Sequence, residues 1–139
     1  MHNANLIMKK QRINIEHELR SNSPALIWQF ISTPEGLARW IADEVQLDGA
    51  TFRLTWGDPF QHCETREATV TDMVRQSHLR MRWVDESDDE AYLELRMEHS
   101  DLTNDYMLII TDYAFAEDVD SLRDIWEDNL HRLRHSTGL

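Results

Sequence analysis

From Glu44 to Phe115 the chain reads as one strand after another, and then its hydrophobic period changes once. Phe52, Leu54 and Trp56 alternate with Thr51, Arg53 and Thr55; Leu79, Met81 and Trp83 alternate with Arg80 and Arg82; Leu93, Leu95 and Met97 alternate with Glu94, Arg96 and Glu98. A period of two with one polar side fits an antiparallel sheet covered on a single face. At Glu117 the spacing becomes helical, and Val119, Leu122, Ile125, Trp126, Leu130 and Leu133 form one stripe running toward His135. Acidic Glu117, Asp118 and Asp120 open this helix, Arg132, Arg134 and His135 close it, and Gly138 stops it. A sheet with one dry face and one long amphipathic helix satisfy each other by packing together. The expected fold class is therefore α+β: a curved antiparallel sheet of about seven strands around a long C-terminal helix.

The first third supplies the remaining elements. In Arg12–Arg20, Ile13, Ile15, His17 and Leu19 share one face of a half-buried strand. Ser23-Pro24 and Thr33-Pro34 each place a capping residue before a proline, and each predicts a helix start. Two short helices follow, one carrying Leu26, Ile27, Phe30 and Ile31, the other Leu37, Trp40 and Ile41. Residues 1–11 read as a flexible extension and 12–139 as a single domain. Met8, ahead of Lys9-Lys10, is an alternative first residue, and the leader has no apolar core of a secretory signal.

Composition narrows the partners. A net charge of −12 disfavours nucleic acid and anionic membrane surfaces, both of which select Lys and Arg. The acidic run Asp85, Glu86, Asp88, Asp89 and Glu90 lacks calcium-loop spacing and reads as a solvated hairpin loop. One cysteine, Cys63, allows no internal disulfide and suits a reducing, cytoplasmic setting. No apolar run long enough to span a membrane occurs.

The wording of the first third is more specific than its pattern. Ser23-Pro24-Ala25-Leu26-Ile27-Trp28, Ile31-Ser32-Thr33-Pro34-Glu35-Gly36-Leu37 and Trp40-Ile41-Ala42-Asp43 resemble the opening of START-like proteins related to the Hsp90-ATPase-activator homologue family, within the Bet v 1-like superfamily. Weaker matches follow in Gly49 with Phe52 and Trp56, Trp83, Leu102-Thr103, Ile110-Thr111-Asp112, and Trp126 with Leu130 and Leu133. The resemblance covers about residues 12 to 135 and implies the helix-grip fold. It also implies an apolar cavity between sheet and helix, used by relatives for lipid-like or polycyclic ligands. It implies no shared catalytic motif, because members range from binders to cyclases to chaperone activators.

No nucleophile–base pair, phosphate loop or metal-spaced Cys/His set appears, so no catalytic residue, metal or cofactor is expected. In His62-Cys63-Glu64 adjacent strand residues point to opposite faces, which prevents joint chelation. The expected cavity wall is Trp40, Trp56, Trp83 and Trp126, with Phe52, Leu95 and Leu122 beside them. Asp112 interrupts an otherwise apolar strand and His17 lies on the apolar face of the first one; these are the candidate polar groups, either as a functional pair or as a structural one. Met107, Ile109, Tyr113 and Phe115 give the last strand a second apolar face and form a candidate homodimer patch. The leading expectation is non-catalytic binding of a small hydrophobic molecule. The alternatives are a protein-interaction module with a filled core, associated with a chaperone or with itself, and less directly an enzyme using the cavity.

Overall fold

A computed structural model describes residues 9–58 and 60–139. Strand β1 (Gln11–Glu18) is followed by helices α1 (Pro24–Ser32) and α2 (Pro34–Leu37). Then come β2 (Glu44–Asp48), β3 (Thr51–Gly57), β4 (Cys63–Val74), β5 (His78–Trp83), β6 (Leu93–His99) and β7 (Tyr106–Ala114). One 3-10 turn, Ala116–Asp118, leads into α3 (Val119–Thr137). The seven strands form one antiparallel sheet in the order β1-β7-β6-β5-β4-β3-β2. Strands β2 to β7 therefore follow as neighbours, and the first strand returns to pair with the last. This is the α+β helix-grip arrangement.

Local chemistry fixes the tandem helices. The Ser23 hydroxyl accepts the Leu26 N–H at 3.3 Å and caps α1. Thr33 serves both helices: its hydroxyl donates to the Gln29 carbonyl at 2.7 Å and accepts the Gly36 N–H at 3.0 Å. Gly36 sits where α2 turns back onto α1, and a side chain there would collide with the Gln29 carbonyl and the Phe30 Cα. Helix α2 ends at Leu37, earlier than the apolar spacing predicts. Trp40 and Ile41 still reach the core, from the turns that follow, because the Asp43 N–H bonds the Thr55 carbonyl and draws the chain into the sheet.

Helix α3 lies against the concave face. Trp126, Leu130 and Leu133 are its buried residues, and Gly138 ends it in the left-handed conformation (φ 82°), its N–H donating to the Arg134 carbonyl at 2.8 Å. Leu19, Ile27, Ile31, Trp40, Phe52 and Leu54 are fully buried together with Leu79, Met81, Leu93, Leu95 and Leu108 of β5, β6 and β7.

Three expectations are refined by the register. The acidic loop is not simply solvated. The Lys10 backbone N–H donates to Asp88 at 2.7 Å, the Lys10 ammonium meets Glu86 at 2.7 Å, and Lys9 pairs with Glu90. Arg82 donates to the Asp88 and Asp89 carbonyls from the other side. The loop thus clamps the chain just before β1. Of the extension expected over residues 1–11, the first eight lie outside the described residues, while Gln11 already pairs with Ala114. Glu94, expected on a wet face, is 6% exposed and held between Arg80 (2.8 Å) and Arg96 (3.0 Å). Burial pushes its carboxyl up, but the hydrogen bonds from Arg96 and Arg80 outweigh this and hold it below the usual range.

On the outer face of β7, Met107, Ile109 and Tyr113 are half-buried. In register beside them stand Glu18, Glu16 and Arg12 of β1, with Glu98 and Arg96 of β6 next to Met107 and Ile109. The stems of these long side chains flank the apolar stripe. Tyr92 packs edge-on to Tyr113 at 5.1 Å, and Lys10 lies over the Phe115 ring at 5.2 Å.

Candidate functional site

The helix does not close over the whole concave face. A cleft of about 520 Å³ opens between α3 and strands β3 to β7 of the sheet. The sheet contributes Trp56, Trp83 and Leu93, and the helix contributes Leu122, Ile125, Trp126 and Asn129. Alternation along β3 and β5 aims the two sheet tryptophans inward. They meet at 6.4 Å between ring centres, tilted by 50°, and the Trp56 N–H is held by the Ile41 carbonyl at 2.8 Å. Trp126 packs against Trp40 at 6.0 Å, so one wall of the cleft is anchored in the core.

Asp112 is the polar group of this apolar wall. It is 9% exposed and lies on the same face as Ile13, its partner across β1. One carboxylate oxygen accepts the Trp126 indole N–H at 2.9 Å, and the other accepts the Tyr113 backbone N–H at 2.8 Å. Among the described residues no Lys, Arg or His forms an ion pair with it. Burial pushes the carboxyl up to about 6, although both hydrogen bonds pull the other way. A carboxyl in this state exchanges a proton near neutral pH.

The mouth is charged but internally balanced. Lys10 is paired with Glu86, Arg66 with Asp85 at 2.9 Å, and Arg132 approaches Asp43 at 3.8 Å. The Arg66 guanidinium also lies 4.0 Å over the Trp83 ring. Among the described residues no group of three or more His, Cys, Asp or Glu is arranged to hold a metal, and no helix is long and apolar enough to cross a membrane.

The sequence profile of the START-like superfamily domain matches residues 7–139. The chain belongs to the START-like superfamily. Among solved structures, a Bacteroides fragilis protein determined by NMR is 35% identical, with 91% of this chain covering 90% of that one at a TM-score of 0.60. The Aha1 dimer from Colwellia psychrerythraea is 15% identical, with coverage of 92% and 98% and a TM-score of 0.70. An AHSA1-like protein from Aeromonas hydrophila is 14% identical, with coverage of 92% and 94% and a TM-score of 0.69. At such identities the last two share the fold. No curated protein matches the chain.

In this START-like chain the residues singled out from sequence separate into groups. Trp56, Trp83, Trp126, Leu122 and Asp112 line the cleft together. Trp40, Phe52 and Leu95 are fully buried in the core and do not line it. Their strands and turns face the same interior, but the helix and its neighbours pack directly onto them. His17 and Asp112 share the concave face without meeting: their partners, Leu108 and Ile13, stand four positions apart along the paired strands, about 13 Å. His17 instead donates from Nε2 to the Leu139 carbonyl at 3.2 Å, beside Arg134. Burial lowers its pKa, and Arg134 adds to that lowering against the opposing hydrogen bond. Lys10, Arg66, Glu64 and Ile125 also border the cleft and were not expected in its wall. Arg66 was legible in principle, since alternation along β4 places it on the face of Ala68.

Proposed function

We propose that the chain binds a small hydrophobic molecule, lipid-like or polycyclic, in the cleft between sheet and α3, without transforming it. The observation that carries this reading is the cleft itself: about 520 Å³, walled by Trp56, Trp83 and Trp126, with one buried carboxyl among them. Ligand sites have this size and this mixture of apolar surface with few polar groups. Asp112 supplies orientation. The single exposed thiol, Cys63, suits a cytoplasmic, reducing setting. Native mass spectrometry of the purified protein tests the reading. A co-purified small molecule, lost on Trp83→Ala, is expected; a uniformly empty protein that also fails to bind apolar aromatic probes would refute it.

A second reading is a protein-interaction module. The filled interior around Trp40, Phe52 and Leu95 favours it, as does the half-buried outer stripe of Met107, Ile109, Tyr113 and Phe115. A homodimer across that face, or a chaperone partner of the kind the family suggests, would use this surface. Sedimentation velocity decides the self-association case: a monomer at tens of micromolar counts against it.

A further inference from the structure

We propose that the ligand of the cleft is an uncharged aromatic molecule carrying a hydrogen-bond acceptor, such as a ketone, and that Asp112 meets it as the neutral acid, so that filling the cleft takes up a proton. This inference rests on the cleft being a ligand site, and it adds the class of ligand and a dependence on pH.

The geometry argues against a charged ligand of either sign. A cation would seek the tryptophan faces, but the Arg66 guanidinium already lies 4.0 Å over Trp83. Lys10, from the segment before β1, and Arg132, from α3, also stand at the rim and would repel it. An anion would seek those three cations, yet Lys10 and Arg66 each already hold a carboxylate within 3 Å, Glu86 and Asp85. Glu64 from β4 and Asp128 from α3 face the same opening and oppose a further negative charge.

An uncharged ligand leaves Asp112 to respond. Its two oxygens each accept one N–H, it has no ion-pair partner among the described residues, and it lines the cleft. A ligand lying over it removes the remaining water from a carboxylate already near its limit of burial. The charged form is then the costly one. A proton from solvent adds to the carboxylate, and the resulting O–H has one acceptor to find, which the ligand supplies. The poise of the free group near pH 6 places the uptake in an accessible range.

The test uses three non-titrating probes with the intact chain, followed by quenching of tryptophan fluorescence and by calorimetry: 9-fluorenone, fluorene and N-methylacridinium. Calorimetry of 9-fluorenone at pH 7, in two buffers of different ionisation enthalpy, should show net proton uptake. Its affinity should fall roughly tenfold or more from pH 5 to pH 8. Fluorene, lacking the carbonyl, should bind more weakly than fluorenone at pH 5. Asp112→Asn should bind fluorenone without uptake and without pH dependence. Fluorenone binding that is flat in pH and proton-neutral overturns the inference and leaves the ligand site standing. Tighter binding of N-methylacridinium, strengthening as the pH rises, also overturns it and makes Asp112 an anionic anchor. If none of the three binds, both the inference and the ligand-site reading fail. The proton-uptake measurement on the unaltered protein does not depend on how well the Asn variant folds.

Discussion

At the scale of single residues, Asp112 shows how much chemistry one interruption in a pattern can announce. A carboxylate within an otherwise apolar strand is legible as a buried polar group, because burial of a charge demands partners. Which partner it finds is not legible. His17 shares its sheet face, but the real donor, Trp126, comes from α3, fourteen residues on, and only the packing angle of helix on sheet selects it. Trp126→Phe keeps an aromatic side chain but removes the donor together with part of the buried indole. The lost volume costs stability equally at both pH values, and the lost hydrogen bond should add about 1.5–3 kcal/mol at pH 8, where Asp112 is ionised, and clearly less at pH 4, where the carboxyl is neutral. Urea unfolding at the two pH values reads the difference. An equal loss at both would show that the indole contributes packing alone.

At the scale of elements, β3, β5, β6 and α3 were readable because each keeps one period over its length, while β7 stood out by being apolar on both faces and the irregularity of β4 between Val70 and Asp72 was not legible. The short helices were readable from their caps, Ser23 and Thr33, rather than from periodicity, since α2 spans only Pro34–Leu37. Trp40 illustrates the limit. Its burial follows from sequence, but whether a buried tryptophan lines a cleft or fills the core depends on where α3 stops covering the sheet. Gly36 explains why the wording around Thr33-Pro34 is so specific: the turn from α1 into α2 brings backbone against backbone with no room for a methyl group. Gly36→Ala should therefore destabilise by about 1–3 kcal/mol or more, as overpacking does in a core. A thermal melt matching the parent protein would show that the two helices can separate freely.

At the scale of the whole molecule, the concave face carries a buried titratable group, Asp112, and a half-buried one, His17, that pull stability in opposite directions. Asp112 binds its proton more tightly in the folded chain. Its contribution is complete below about pH 4 and is lost as the pH rises to about 6, a change from 3.8 to about 6 that amounts to about 3 kcal/mol. His17 behaves oppositely: burial lowers its pKa from 6.5, so the stability it permits is present at neutral pH and is lost on acidification. The two slopes have opposite signs, overlap below about pH 6 and partly cancel there. The parent protein should accordingly show a flatter stability profile than either single variant. Asp112→Asn should gain relative to the parent as the pH is raised from 4 to 7, and should itself lose stability more steeply on acidification. His17→Gln, which keeps an N–H for the Leu139 carbonyl, should resist acid better than the parent. Urea titrations across pH 4–8 measure all three. Parallel curves for the parent and Asp112→Asn would mean that the carboxyl is as well solvated in the folded chain as in the unfolded one. The cleft would then be wetter than its tryptophan walls imply, and the proton coupling drawn from it would have no source.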